Sequence, residues 1–455
     1  MRSFDPGQLE TWTKGAWLEG RRPATISGFH FDARQLPEGA CFIALTSGAR
    51  DGHAFAAQAK EAGAAALMVE REVEVDLPQL IVADTLEAMG AMGGALRQQF
   101  NGPVLGVTGS SGKTSTKEML GHLLSIHQTH TTKGNWNNRI GVPMTLFELE
   151  PESHGFAVVE AGINQPGEMS ALGAMIQADL CVVTHIGPAH LELLGSLDGV
   201  AAEKSQLFEY AADGARLVLT APTLAYSSFS RFRQQAIVLL EAGASPSIFA
   251  KDLVPYSIDS VSAGQSEITV AGESYSVATT SRGIATNAAL AVTTARELGI
   301  DVATIRSRLA QWQPAKDRGE WIHAGDRSFY VDCYNANPAS MADAIEAFMA
   351  ASESDRPRCY VMGAMNELGE HAITLHRDCG EKLELRAEDS AWFVGPSELV
   401  VAYAEGAQAS GATADQLHMA DDVESAQSEI AEFSGAFFLK GSRSYQLEQL
   451  VPRPD

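Results

Sequence analysis

The sequence predicts an α/β protein of three domains: a small α/β N-terminal domain, a central phosphate-loop domain on a largely parallel sheet, and a C-terminal Rossmann-like domain. Three observations carry this expectation. At 455 residues the chain is too long for one ordinary core. Short apolar runs alternate with segments of helical periodicity, as strands joined by crossover helices do. Two turn-like breaks, Asn101-Gly102-Pro103 and Gln313-Pro314, divide the alternation into spans 1–100, 101–313 and 314–455.

In the first span, strand-like runs mix with an alanine-rich helical stretch from His53 to Glu61, followed by the apolar run Ala64 to Val69. In the second, Val104 to Thr108, Phe156 to Ala161, Asp179 to Ile186 and Arg216 to Thr220 have the composition of buried strands. Met119, Leu120, Leu123 and Leu124 repeat at helical spacing between two of them. The stretch from Gln234 to Thr280 is β-like and turn-rich, an insertion to which the sequence assigns no role. In the third span, Phe329 to Cys333, Cys359 to Met362, Ala391 to Val394 and Phe437 to Leu439 are again strand-like and separated by helical patterns.

Composition narrows the function. Hydrophobic residues at 45% and charged residues at 20% suit a globular protein. The N-terminal residues lack the basic start and apolar core of a signal peptide, and no apolar run approaches the length of a membrane span, so a cytoplasmic location without membrane insertion is expected. A net charge of −24 argues against a nucleic-acid partner, which needs clustered Lys and Arg. Five cysteines, Cys41, Cys181, Cys333, Cys359 and Cys379, show no metal-binding spacing and suggest reduced, mostly buried thiols.

The strongest local signal is Gly106-Val-Thr-Gly109-Ser110-Ser111-Gly112-Lys113-Thr114-Ser115, placed between an apolar strand and an amphipathic helix. Glycines let the backbone curl so that consecutive N–H groups face phosphate oxygens, and the helix N-terminus adds positive potential. Lys113 is expected to reach the terminal phosphates and the Thr114 hydroxyl to help hold Mg²⁺. The spacing departs from the usual phosphate-loop pattern, which has glycine where this chain has Val107.

Downstream, Glu160 ends the strand Val158-Val159-Glu160, a position from which a carboxylate can hold a nucleotide's Mg²⁺. The plainer reading is an ordinary strand-end acid. His190, in Gly187-Pro188-Ala189-His190-Leu191-Glu192, by itself suggests a structural histidine, and Lys204, in Glu203-Lys204-Ser205, a solvated helix charge.

Together these motifs resemble the Mur ligase family. TGSSGKTS is similar to that family's TGTNGKT loop. The run from Thr132 to Pro143, containing Asn135, Asn137 and Asn138, resembles the GNxNNxIGxP element of the members that add D-Ala-D-Ala. Glu160 to Glu168 looks like their EMGxNxxGEI segment, and Asp332 to Met341, with Asn335 and Asn337, like DSYNANPxSM. Lys316-Asp317-Arg318, Met365-Asn366-Glu367-Leu368-Gly369 with His376, and Lys440-Gly441-Ser442-Arg443 resemble three further family stretches. At the other end, Asp32-Ala33-Arg34 to Asp51-Gly52-His53 resembles the domain that holds the uridine nucleotide.

The resemblance implies an ATP- and Mg²⁺-dependent ligase that joins D-Ala-D-Ala to UDP-MurNAc-tripeptide through an acyl phosphate and acts as a monomer on small-molecule substrates. ATP would lie on Gly109 to Ser115, with Asn287, Arg318, Asn335 and Asn337. Metal would be held by Thr114, Glu160, His190 and Lys204, the last as a carbamylated lysine. Lys113, His190, Lys204, Arg318 and Asp332 would carry the chemistry, and Arg34, Asn135 and Asn138 the sugar-peptide. The chain departs from the family at several places: Ala33 for serine, Gly283 to Asn287 keeping only its final Asn, Ala364 for an acid, Val331 for the first of two aspartates, and Gln206 for glutamate. The alternatives are another Mur or folylpolyglutamate-type amino-acid ligase, a phosphate-loop NTPase of another class that would turn over ATP without a sugar-peptide, or an inactive homologue, to which the departures at Ala364 and Gly283 point.

Overall fold

The computed structural model describes residues 3–48, 50–244, 250–262, 264–430 and 432–452. Its strands fall into three main sheets. Five short strands, β1 (Ala16–Trp17), β2 (Phe29–His30), β3 (Cys41–Ile43), β4 (Ala66–Val69) and β5 (Gln79–Ile81), lie in the order β1-β5-β4-β3-β2. All pairings among β2 to β5 are parallel, and β1 is antiparallel to β5. The helical pattern at His53 to Glu61 forms a 3₁₀ turn, Gly52–Phe55, running into a helix, Ala56–Glu61.

The second sheet has nine strands: β6 (Val104–Thr108), β7 (His130–Thr131), β8 (Ala157–Glu160), β9 (Leu180–Val183), β10 (Arg216–Thr220), β11 (Ala236–Glu241), β12 (Asp252–Ser262), β13 (Gln265–Val270) and β14 (Glu273–Val277). Their order is β14-β13-β12-β11-β10-β9-β6-β8-β7. The four buried runs expected in this span are β6, β8, β9 and β10. Residues Leu105, Val107, Val158, Val182, Leu217 and Leu219 are wholly buried, as parallel strands covered on both faces require. Among the described residues of the β-like insertion, β11 and β12 continue the parallel pairing from β10, and β13 and β14 close it as an antiparallel meander.

The third sheet is β15 (Glu320–Ala324), β16 (Arg327–Val331), β17 (Arg358–Gly363), β18 (Ser390–Val394), β19 (Leu417–Ala420) and β20 (Ala436–Lys440), in the order β15-β16-β20-β17-β18-β19. It is parallel except for the β15–β16 hairpin, and apolar clusters cover both faces. All five cysteines are buried and free. Burial pushes Cys41, Cys359 and Cys379 up to about 12 and raises Cys181 and Cys333 as well. No helix among the described residues is long and apolar enough to cross a membrane.

By contact density the chain divides into two compact units. One comprises residues 1–108, 124–181 and 206–216; the other comprises 109–123, 182–205 and 217–455.

Candidate active site

In the second unit the phosphate loop leads into the helix Lys113–Leu124. Two glycines have no substitute there. Gly109 has φ +151° and a Cβ on it would lie 1.9 Å from the Thr184 hydroxyl; Gly112 has φ +76° and its Cβ would lie 2.2 Å from Asn287 Nδ2. The loop is gripped by the segment after β9. Ser110 N–H donates to the His185 carbonyl (2.7 Å), Ser110 Oγ–H to the Gly187 carbonyl (2.9 Å), and Thr184 Oγ1–H to the Ser111 carbonyl (2.5 Å). This is why the run expected as strand to Ile186 stops pairing at Val183: residues 184–187 bond to the loop instead. Lys113 Nζ donates to the Gly109 carbonyl at 2.9 Å. Ser110, Thr114 and Ser115 are buried.

Asn287, on the helix Arg282–Glu297, therefore faces the phosphate loop. Asn337 caps the helix Pro338–Ala351 with its side-chain oxygen, in a reciprocal box with Ser340, and its Nδ2 lies 3.4 Å from the Ser110 carbonyl. One residue thus starts a helix and touches the loop. Asp343, on that same helix, accepts from Ser281 Oγ (2.5 Å) and Gly283 N (2.8 Å) at the start of the Asn287 helix. Burial pushes its carboxyl above the ordinary range. Sequence reasoning missed Asp343.

Lys204 lies on the helix Leu197–Glu209 and is 0% exposed, which overturns its reading as a solvated helix charge. Among the described residues its Nζ has no hydrogen-bond partner. Burial, then the nearby charge of Lys113, hold this amine well below the ordinary lysine range, although Glu203 opposes the shift. Its charged form is therefore disfavoured relative to that of a surface lysine.

His190 has a left-handed backbone, φ 56°, and its Nδ1 lies 2.6 Å from Glu367 Oε2. A carboxylate only accepts, so Nδ1 carries the hydrogen. That bond, ahead of opposing burial, holds the Glu367 carboxyl below the ordinary range.

Around the six-stranded sheet, Asp332 Oδ2 is 2.5 Å from Lys440 Nζ, a buried ammonium that also donates to the carbonyls of Asp332 (3.4 Å) and Asn335 (3.2 Å). The Asp332 side chain keeps 22% exposure. Lys440 was visible only as part of a motif, and its pairing with Asp332 was not foreseen. The Arg318 guanidinium stacks 3.8 Å from the Tyr334 ring centroid, and Arg443 lies 5.8 Å from the same ring. Two cations therefore lie against one aromatic ring.

In the first unit, Glu160 is 1% exposed and its Oε1 accepts from Asn137 Nδ2 at 2.7 Å. Its backbone N–H donates to Thr132 Oγ1. A Cβ at Gly162 would lie 2.8 Å from the Asn137 carboxamide, so glycine there makes room for the contact. Asn137 was passed over in the sequence in favour of its neighbours. Asn138 Oδ1 accepts from Ile140 N and Gly141 N at the start of the helix Gly141–Phe147, a structural duty, whereas Asn135 is exposed. Arg34 forks onto Asp32 at the surface through Nε (2.9 Å) and Nη2 (2.7 Å), which holds the Asp32 carboxyl at about 2.

Models of known families match two stretches: the Mur ligase middle domain at residues 107–295 and the Mur ligase glutamate ligase domain at 317–443. The UDP-N-acetylmuramoyl-tripeptide–D-alanyl-D-alanine ligase of Escherichia coli K12 is 33% identical over 94% of this chain and 93% of its own length. The chain belongs to the Mur ligase family. The Bacillus subtilis enzyme of the same name is 30% identical to this Mur ligase over 94% of the chain and 92% of its own. Among solved structures, MurF from Acinetobacter baumannii superposes with a TM-score of 0.87 at 29% identity, covering 99% of this chain and 98% of that one. A folylpolyglutamate synthase from Mycobacterium tuberculosis shares the fold more distantly, with a TM-score of 0.58 at 16% identity, 81% of this chain and 96% of that one.

Proposed function

We propose that this Mur ligase is an ATP-dependent amide ligase that adds D-Ala-D-Ala to UDP-MurNAc-tripeptide, releasing ADP and phosphate, in the cytoplasmic part of peptidoglycan synthesis. The observation that carries the reading is near-full-length similarity to enzymes of that name, joined to a glycine-shaped phosphate loop with a buried lysine, Lys204, in the same unit.

The chemistry requires little covalent participation by the protein. A carboxylate resists attack by an amine until one oxygen becomes a leaving group; phosphorylation by ATP makes it one, and the amine then displaces phosphate. Positioning and charge neutralisation carry such a reaction. In this reading Lys113, which donates to the Gly109 carbonyl, swings onto the terminal phosphates, and the helix N-terminus at Lys113 adds positive potential there. Arg318 supplies a second cation, braced by Tyr334. Asn287 and Asn337 bound the loop, and Asn335 with Asp332 is held by Lys440. In this reading Asp332 orients the incoming amine.

Thr114, Glu160, His190 and Lys204 are the proposed holders of Mg²⁺, which when bound neutralises phosphate charge and polarises the transferring group. Each residue suits it by its own surroundings: a buried hydroxyl, a buried carboxylate, a histidine with one nitrogen already committed, and a buried amine that has no hydrogen-bond partner among the described residues. The amine becomes an acidic ligand by adding CO2: its nitrogen bonds the carbon, a proton leaves, and a carbamate anion results. Arg34, Asn135 and Asn138 are proposed sugar-peptide contacts. For Arg34, binding must exchange or share the Asp32 partner; for Asn138, its side-chain oxygen is already committed to the helix start.

The deciding assay measures phosphate release from ATP with UDP-MurNAc-tripeptide, with and without D-Ala-D-Ala. Release that needs both supports the reading. Release with another amine would change the acceptor within the family, and release from ATP alone would favour an NTPase of another class.

A further inference from the structure

Two residues with left-handed backbones face each other in the second unit: His190, φ 56°, and Glu367, φ 65°. Neither is glycine, and such conformations persist only where surrounding structure imposes them. They belong to different sheets' loops. His190 follows β9, whereas Glu367 follows β17 in the Met365-Asn366-Glu367 turn. Three further features hold this second loop in place. Met365 N–H donates to Nε2 of the fully buried His376 (2.9 Å), whose Nδ1–H donates to the Ala372 carbonyl (2.6 Å). Asn366 N–H donates to Ser442 Oγ (2.9 Å), and Asn366 Nδ2 to Ser444 Oγ (3.1 Å). Gly369, at φ +56°, lets the loop approach the other segment: a Cβ there would lie 3.1 Å from the Glu192 Cα. The loop therefore delivers the Glu367 carboxylate to one nitrogen of His190.

We infer that Glu367 is a positioning residue for His190: its carboxylate fixes the imidazole tautomer and rotamer so that Nε2 presents its lone pair to a divalent cation. A neutral imidazole carries one hydrogen, and a carboxylate 2.6 Å from Nδ1 assigns it there. Nε2 is then the ligating nitrogen, and the ring cannot rotate without losing a charge-assisted bond. The inference rests on the reading of His190 as a metal ligand. It adds that His190 is made competent by a loop from the six-stranded sheet, anchored by His376 and Ser442.

The test uses the full chain with Mn²⁺ as the probe in the presence of ADP, read by electron paramagnetic resonance, and long-range ¹⁵N–¹H spectra of histidine-labelled protein, with H190A assigning the ring. In E367A the His190 ring is expected to lose its single Nδ1–H tautomer, and Mn²⁺ affinity to fall about tenfold or more. E367D, which keeps the charge but withdraws it by one methylene, should shift both readouts in the same direction by less, and serves if E367A does not fold. H190A should lose at least as much affinity, with no further loss in the double variant. Unchanged tautomer or unchanged Mn²⁺ affinity in E367A, alongside weakened binding in H190A, would overturn the inference and leave the metal site standing. Unchanged affinity in H190A would remove the metal site, and the inference with it.

Discussion

Lys204 is the residue whose meaning changes most between sequence and structure. In the sequence it sits in Glu203-Lys204-Ser205, indistinguishable from a surface helix charge, and only the family resemblance singles it out. Burial is a property of the packed chain, and it disfavours the charged form of an amine that would be a solvated cation at the surface. The sign of its pH dependence follows. The folded amine is held well below the value of 10.5 it has when exposed, so the unfolded chain binds more protons between the two and stability rises with pH through that window. In CO2-free buffer, urea unfolding between pH 7.5 and 9 should show the wild type gaining on Lys204→Met by up to about 2 kcal/mol, the limit of about 1.4 kcal/mol per pH unit for one group. Parallel slopes would mean that Lys204 is solvated. With the proposed carbamate on the folded amine, bicarbonate should raise the midpoint of the wild type more than that of Lys204→Met.

At the scale of elements, the strands were legible because burial on both faces leaves continuous apolar runs, and the phosphate loop because its glycines are dictated by backbone shape. What was not legible were partnerships between distant segments. Nothing in the sequence says that Thr184 and Gly187 grip Ser110 and Ser111, that Asn137 rather than Asn138 meets Glu160, or that Lys440 holds Asp332. The insertion at Gln234 to Thr280 was opaque for a related reason: alternating exposed and buried residues mark β13, but not the sheet it joins. The loop makes the sharpest prediction at this scale. Gly112→Ala demands both an unfavourable backbone and a clash with Asn287, so ADP binding measured by calorimetry should weaken at least tenfold, roughly 1.4 kcal/mol, while secondary structure by circular dichroism is retained. Binding within twofold of wild type would mean that the loop does not hold its shape in solution.

For the whole molecule the governing quantity is a net charge of −24. The proposed substrates are anions, so the long-range field opposes their approach, and Lys113, Arg318 and Arg443 act only locally. Raising NaCl from about 20 to 150 mM shortens the range of that field. It should therefore raise kcat/KM for the sugar-nucleotide by roughly two- to threefold, in contrast to the fall seen where substrates are steered by opposite charge. A fall would show that local cations dominate the encounter. The charge also leaves the surface of the molecule well solvated, while every thiol it possesses is buried. Burial shields those thiols and raises each of them, so maleimide is expected to react slowly with the native chain. One cysteine placed at an exposed site such as Glu398 would be the sole address for a dye or spin label. Pairs of such addresses could follow motion during turnover without first stripping the protein of its own sulfur.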